Sequence, residues 1–485
     1  MLKEIKENKS ELRKHMSFGA VWALAVGSII GWGCFIQGAE WTRQAGGPMA
    51  LVIGFILGGL LMIVIGLCYA YLIPKLQVSG GEFAYAYYSF GRTHGFICGW
   101  MMLLGYITLA AMNATAIPVL TSYILPEFRF CYLYTLAGYD VYLSDIVISV
   151  LFLLFFAGLN CFNARKTGHI QLFMAILLCM TVALAVIGTV LSGKSNFENL
   201  KPLYGEGKSL FQGVLSILVV APYCFVGFDT IPQVAEEYNF DNRRIKFLIV
   251  SALVVGAGIY IAMALVSDIV IPWRNLYSLR DAEGRSVSWI TGQVLEISMG
   301  RIGTIFISIA VLMAIFTGIN GFYLAGSRLL FSMGRAKFLP IVFGKVSNIS
   351  QTPNNAILFM FVFCSICPFF GRNVLGWVID ACSVGTAVGY LYTCLSAFVI
   401  AKKKKESIIM KLLPILGAFI SALILILLLL PITSAQMSSP SFIILFIWVI
   451  IGVLFSLYGQ RKLKCTSEDE TDILVLGKKK RELQL

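Results

Sequence analysis

Long apolar runs recur along the whole chain and are separated by short polar segments. Each run has about 20 residues with few or no charges, the length of an α-helix that crosses the hydrocarbon core of a bilayer. About twelve such runs are predicted, at 17–40, 47–73, 94–125, 142–161, 168–191, 210–235, 247–271, 302–333, 355–370, 374–400, 412–431 and 441–458. The pattern therefore predicts an all-α membrane protein with one transmembrane helix for each run.

The first run is interrupted by residues that weaken a helix. Its segment VGSIIGWGCFIQG contains Gly27, Gly31, Gly33 and Gly38. Glycine inside a helix costs about 1 kcal/mol relative to alanine. A break inside hydrocarbon also leaves backbone groups unpaired, so it persists only where these groups meet a ligand, ions or trapped water. The alternative is that the glycines only permit close helix packing.

A second break occurs five runs later and changes the balance between these alternatives. The segment APYCFVGFDTIPQVAEE (221–237) is interrupted by Pro222, Gly227 and Pro232. Matching breaks in two five-helix halves are typical of transporters built from an inverted repeat, with the binding site at the breaks. We therefore expect broken helices 1 and 6 and a binding site that is built from backbone groups.

The chain divides around these runs into five predicted regions. They are an N-terminal tail (1–16), a first five-helix repeat (17–192), a second, inverted repeat (210–400), two more helices (411–458) and a C-terminal tail (459–485). The C-terminal tail is charged and polar, which favours a loose segment.

Charge is scarce and unevenly distributed. Hydrophobic residues make up 58% of the chain and charged residues 13%, whereas soluble domains have about 25% charged residues. If both termini are cytoplasmic, 28 of the 38 lysines and arginines lie on the cytoplasmic side, as the positive-inside rule requires. We therefore expect a multi-pass protein of the cell membrane with both termini in the cytoplasm. The net charge of +13 is scattered over short loops, which suits lipid headgroups and argues against a nucleic acid partner.

Residues that form enzyme or metal sites are sparse in the apolar runs. The three histidines all fall in or beside segments predicted to be cytoplasmic, at His15, His94 and His169. The acids within the runs, among them Asp229 and Asp380, are few and isolated, so we expect no enzyme activity, no metal and no cofactor.

Five segments resemble the amino acid–polyamine–organocation (APC) superfamily, in particular bacterial amino-acid permeases and cationic amino acid transporters. IIGWGCF is similar to the bend of the family's first span, FVGFDTIPQVAEE to its sixth span, and NGFYLAGSRLLFSMGRAKFLP to its eighth span. VSGGEFAYAY is similar to the loop after the second span, and DACSVGTAVGY to the tenth span. The resemblance runs in order from residue 17 to 400. It implies an inverted five-plus-five repeat followed by two peripheral helices.

The two breaks predict a site for a zwitterion, as the family's amino acid substrates require. At the half-helix after Gly31, free N–H groups would bind a carboxylate; they belong to Trp32, Gly33 and Cys34. Carbonyl groups would accept hydrogen bonds from an ammonium group, at Ser28 and Ile29 in the first span and, beside Gly227 in the sixth, at Tyr223 and Val226. The resemblance implies that Tyr223 is an aromatic gate. The family usually has a small residue where this chain has Trp32, which predicts a different pocket volume.

Three polar residues inside the runs have two interpretations each. Asn113 in the third run and Asn320 in the eighth either line the substrate site or form hydrogen bonds between helices. Asp229 either caps the second half of the broken sixth helix or binds a proton or the substrate amine.

Charged residues at the cytoplasmic edge are candidates for gating and coupling. Glu236 and Glu237 either pair with Arg243 or Arg244 as an inner gate or form a solvated cluster. Arg165 stands where the resemblance implies a lysine that can lose its proton. Because arginine in proteins keeps its proton, we expect Arg165 to act as a fixed positive charge.

Together with the resemblance, these features predict a secondary active transporter that moves amino acids or related amines by alternating access. It would be a proton-coupled symporter or an exchanger. The alternatives are a nutrient sensor derived from a transporter and a channel without coupled flux. The expected partners are a small-molecule substrate and the lipid bilayer, and the expected state is a monomer or weak homodimer.

Overall fold

The computed structural model describes residues 12–162, 164–280, 287, 289–431, 436–463 and 466–483. In chain order the α-helices are α1 (Phe18–Ile29), α2 (Gly38–Ala45), α3 (Pro48–Leu72), α4 (Gly81–Phe90), α5 (Arg92–Ile124), α6 (Leu143–Phe162), α7 (Ala164–Leu191), α8 (Leu210–Cys224), α9 (Thr230–Gln233), α10 (Ile245–Val270), α11 (Ile290–Met299), α12 (Arg301–Arg335), α13 (Asn354–Ile366), α14 (Gly371–Lys403), α15 (Ile408–Leu429), α16 (Ser439–Leu463) and α17 (Glu468–Leu476).

The apolar runs of the sequence coincide with apolar helices. In the described part of the chain, nine helices are long and apolar enough to cross a membrane, namely α3, α5, α6, α7, α10, α12, α14, α15 and α16. Three shorter apolar helices, α1, α8 and α13, occupy the places of the other predicted runs. Most of α5 is buried inside the bundle, whereas α15 and α16 keep mostly exposed side chains and lie at its periphery.

The first run is broken where its glycines stand. Helix α1 ends at Ile29, Gly31 is extended, and a short 3-10 turn (Trp32–Phe35) precedes α2. Glycine loses more conformational entropy in a helix than other residues do, so helices end easily at such positions.

The sixth run is also broken, and the two breaks touch. Helix α8 ends at Cys224, two residues after Pro222, and α9 begins at Thr230. Between the two helices, Gly227 has a φ of +140°, a value that residues with a side chain rarely adopt. A β-carbon added to Gly227 would lie 2.5 Å from the backbone nitrogen of Ile29. This glycine therefore lets the two breaks meet.

The two ends of the bundle differ, and we name them by what they carry. At one end Met16 forms a β-bridge with Tyr238, and α17 lies at the same end; this is the terminal face. At the other end a hairpin of β1 (Tyr132–Leu136) and β2 (Tyr139–Tyr142) follows α5; this is the hairpin face. The apolar pattern did not predict the hairpin, because its strands are short and exposed.

The C-terminal tail is not loose, contrary to the expectation from its charge. Ser467 caps α17, and the apolar side chains of its second half are buried. The Tyr87 hydroxyl donates to Asp472 (2.8 Å), and Lys337 pairs with Glu470 (2.7 Å). The polar residues of the tail thus find partners on α4 and at the end of α12, which the composition of the tail alone does not reveal.

Candidate functional site

A cavity of about 480 Å³ lies where the two broken helices meet. Its wall comes from both breaks and from α5, α10, α12 and α14. Eight of the residues predicted for the site line it, namely Ser28, Ile29, Gly31, Trp32, Gly33, Asn113, Tyr223 and Val226. Further lining residues were missed by the sequence analysis, among them Gln37, Trp41, Tyr260, Phe322 and Arg372.

Two backbone N–H groups at the first break are available to a ligand. Within the described chain, the N–H groups of Trp32 and Gly33 have no hydrogen-bond acceptor. The Cys34 N–H donates to the Gly31 carbonyl (3.1 Å) because the 3-10 turn closes there. The predicted set of three donors is therefore reduced to two. A β-carbon on Gly31 or Gly33 would have no atom within 4 Å, so both glycines border open space.

The carbonyl groups of the breaks are partly occupied. The Ile29 carbonyl accepts from the Tyr260 hydroxyl (3.1 Å) and from the Gly31 N–H (3.1 Å). The Tyr223 carbonyl accepts from the Val226 N–H (3.3 Å). The buried Ser28 hydroxyl has no partner among the described residues, and it packs against Gly321 of α12.

The two asparagines have different positions. Asn113 lines the cavity, its amide donates to the Leu109 carbonyl (2.8 Å), and its Oδ1 has no partner in the described chain. Asn320 instead joins helices, because its Oδ1 accepts from Asn160 (2.8 Å) and its amide donates to Gln171 (2.8 Å). Asn320 thus matches the interhelical interpretation and is not among the cavity-lining residues.

Cys34 and Gly227 are also not among the residues that line the cavity. Cys34 is buried, and its backbone completes the 3-10 turn. Gly227 is the point of closest approach between the breaks. Both residues therefore shape the bend without facing the open space.

Asp229 stabilises the break itself. Its Oδ1 accepts from the Gly227 N–H (2.7 Å) and lies 3.4 Å from the Tyr390 hydroxyl. Although Asp229 stands at the N-cap position of α9, its side chain makes no capping hydrogen bond there. The predicted cap on the second half-helix is therefore wrong, because the carboxylate turns back to the glycine two residues earlier.

Tyr223 has the position of a lid beside the cavity. Its side chain is 38% exposed. One side of it lines the cavity, and the other lines a small groove between α8, α14 and α15.

Glu236 and Glu237 form ion pairs at the terminal face, with partners that differ from those predicted. Arg328 binds Glu237 through Nε (2.7 Å) and Nη2 (3.2 Å), and both side chains are fully buried. Arg335 binds Glu236 through two nitrogens (2.6 and 3.0 Å).

The predicted partners lie elsewhere. Arg243 and Arg244 are exposed, since the chain turns outward between the end of the sixth span and α10. Arg165 belongs to α7, but its side chain lies outside the described residues.

A buried acid, Glu82, was missed by the sequence analysis. Gln233 donates to Glu82 (2.5 Å) and to the Tyr106 hydroxyl (3.2 Å), which in turn donates to the Asp229 carbonyl (3.0 Å). Burial, together with the nearby Asp229 carboxylate, raises the pKa of Glu82 well above its ordinary value. The available signal was an acid between two glycines and an aromatic run, in VSGGEFAYAY.

Comparisons with known proteins identify the family of the chain. The sequence profile described as amino acid permease matches residues 16–455. The chain is 25% identical over 403 residues to the methylthioribose transporter of Bacillus subtilis. This alignment covers 82% of this chain and 84% of that protein. It is 25% identical over 457 residues to the branched-chain amino acid permease BcaP of Lactococcus lactis, with 91% and 94% covered. It is 25% identical over 415 residues to the cationic amino acid transporter 4 of Mus musculus, covering 83% of this chain and 62% of that longer protein.

Proposed function

Because the chain belongs to the amino acid permease family of the APC superfamily, we propose that it is a secondary active transporter for amino acids or related amines. Family membership makes it a multi-pass membrane protein and a transporter, not an enzyme. The names of its relatives include methylthioribose, branched-chain amino acids and cationic amino acids. Membership alone therefore does not fix the substrate.

The observation that carries the proposal is the meeting of two broken helices at a cavity with unpaired backbone groups. A carboxylate would accept hydrogen bonds from the N–H groups of Trp32 and Gly33, which have no acceptor in the described chain. An ammonium group would donate to oxygen atoms of the cavity wall, and Ser28 and Asn113 are lining residues that carry such atoms. A zwitterion satisfies both sets at once.

Alternating access is supported by a difference between the two faces of the bundle. At the terminal face the buried pairs Arg328–Glu237 and Arg335–Glu236 join α12 to the end of the sixth span. At the hairpin side a second cavity, of about 310 Å³, adjoins the central one. Transport would require the ion pairs to separate while the hairpin side closes.

The proposed membrane topology uses the regions that the sequence predicts. Residues 17–192 and 210–400 would form two inverted five-helix repeats, and α15 and α16 would be the peripheral helices. The terminal face would be cytoplasmic in the cell membrane, since most lysines and arginines lie in its loops and tails. We expect a monomer or a weak homodimer.

Coupling would run through buried acids without basic partners. Glu236 and Glu237 are each paired with an arginine, so we assign them to the gate. A hydrogen-bond chain from the Glu82 carboxylate through Gln233 and Tyr106 ends at the backbone carbonyl of Asp229, and neither acid has a basic partner in the described chain. We assign the transported proton to this pair, and exchange without a proton is the alternative.

The test uses the purified protein in proteoliposomes. Labelled amino acid is supplied outside vesicles that hold unlabelled amino acid, and uptake is measured with and without an inward proton gradient. Saturable counterflow supports the transporter, and stimulation by the gradient supports symport. Ligand binding without flux would indicate a sensor, and large unsaturable flux would indicate a channel; either result would overturn the proposal.

A further inference from the structure

Arg372, near the start of α14, stands between the two cavities. Its side chain lines both the central cavity and the second cavity towards the hairpin. Its guanidinium carbon lies 3.9 Å from the centroid of the Trp32 ring. Trp32 also lines both cavities, so the stacked pair forms part of the boundary between them.

The charge of Arg372 has no carboxylate partner among the residues that the structure describes. Within the described chain its side chain forms no hydrogen bond and no ion pair, and it is the charged residue that lines the central cavity. Asp145, which lines the second cavity, is already paired with Arg129 (3.1 Å). Asp380, further along α14, accepts instead from Ser441 of α16 (2.9 Å).

An unpaired charge between two cavities inside a helical bundle is energetically costly. Arginine cannot lose its proton to avoid this cost. The guanidinium lies over the Trp32 ring, and its N–H groups have no acceptor in the described chain. These N–H groups form a planar fork, which suits a carboxylate bound through two parallel hydrogen bonds. The stack also gives a physical reason for tryptophan at a position of the bend where a small residue is usual.

We propose that Arg372 selects substrates with a second carboxylate, that is, acidic amino acids. This inference rests on the proposed function. The α-carboxylate would bind the N–H groups of Trp32 and Gly33, and the side-chain carboxylate would bind Arg372. Cationic amino acids and polyamines would be excluded, because they would bring a second positive charge beside the guanidinium. Trp32 acts here as a positioning residue for Arg372.

The test compares substrates that differ in one charge. Counterflow in proteoliposomes is measured with glutamate, its uncharged analogue glutamine, and lysine. For the parent protein, we expect kcat/KM for glutamate to exceed that for glutamine at least tenfold, with little uptake of lysine. Arg372→Gln should lower the glutamate value at least tenfold while leaving glutamine nearly unchanged. Arg372→Lys should retain part of the preference.

Controls separate this inference from the proposed function. Arg274→Gln removes an exposed arginine that lines neither cavity, and it should keep the preference for glutamate. Saturable counterflow of glutamine or lysine that matches or exceeds that of glutamate would overturn the inference and leave the transporter intact. Equal losses for glutamate and glutamine in Arg372→Gln would also overturn it, because Arg372 would then bind the α-carboxylate. No counterflow of any amino acid would contradict the proposed function itself. If Arg372→Gln fails to fold, the parent's ratio of glutamate to glutamine still decides.

Discussion

Replacing Gly33 with valine tests whether the first break binds the substrate. The Gly33 N–H is free, and a β-carbon at this position would meet no atom within 4 Å. The backbone of Gly33 is not in the left-handed region, so a larger residue fits without strain. The valine side chain would therefore occupy open cavity space and block access to the N–H groups of Trp32 and Gly33.

The size of the effect follows from the hydrogen bonds that would be lost. A hydrogen bond to a charged group contributes about 1.5–3 kcal/mol. Two such bonds to a carboxylate correspond to about 3–6 kcal/mol, and each 1.4 kcal/mol is a tenfold change in affinity. We therefore expect Gly33→Val to weaken substrate binding by roughly a hundredfold or more, with a change in the free energy of unfolding of about 0.5 kcal/mol or less.

A matched control lies six residues earlier in the same segment. A β-carbon on Gly27 would be 2.5 Å from the Thr317 Cβ, so this glycine serves helix packing. Gly27→Val should overpack the bundle at a cost of about 1–3 kcal/mol. Counterflow and thermal unfolding are measured for both variants, with and without substrate. Wild-type KM in a well-folded Gly33→Val protein would refute a substrate site at this break.

Three further predictions address the lid, the terminal gate and the buried acid. Tyr223→Ala should raise KM severalfold with little change in melting temperature, and unchanged uptake kinetics would show that Tyr223 is no lid. Glu237→Gln should leave Arg328 buried without its charge partner and cost about 3–5 kcal/mol of stability, measured by thermal unfolding; a loss below about 1 kcal/mol would contradict this account of the gate. Glu82→Gln should flatten the pH dependence of stability. Because the pKa of Glu82 is raised, the wild type should lose stability relative to the variant as pH rises above the ordinary glutamate range. Parallel pH profiles of the two proteins would contradict this prediction.

Much of the fold follows from local sequence signals. The apolar runs locate the helices, and the glycines and prolines of the two interrupted runs locate the breaks, because these effects act within a few residues. The cavity-lining residues of the two broken segments could be predicted for the same reason. The sequence alone did not decide between the two roles of Asn320, since its partners Asn160 and Gln171 come from other helices.

The arginine partners of Glu236 and Glu237 show why other contacts of the site could not be predicted from the sequence. Arg243 and Arg244 are close to Glu236 and Glu237 in sequence, but the chain carries them outward. Arg328 and Arg335 are seven residues apart on α12 and therefore lie on the same face of that helix, two turns apart. Only the packing of α12 against the end of the sixth span brings this face to the two acids.

The arginines of the described interior differ in one respect that bears on function. Arg328 and Arg335 are each bound by a carboxylate of the protein, and so is Arg129 beside the second cavity. An ionised side chain within a membrane protein is costly unless it is paired, so paired arginines are explained by their partners. Arg372 has an aromatic platform but no carboxylate in the described chain. A substrate carboxylate that enters the cavity would supply the missing negative charge. The substrate preference of the protein is therefore the measurement that tests the site most directly.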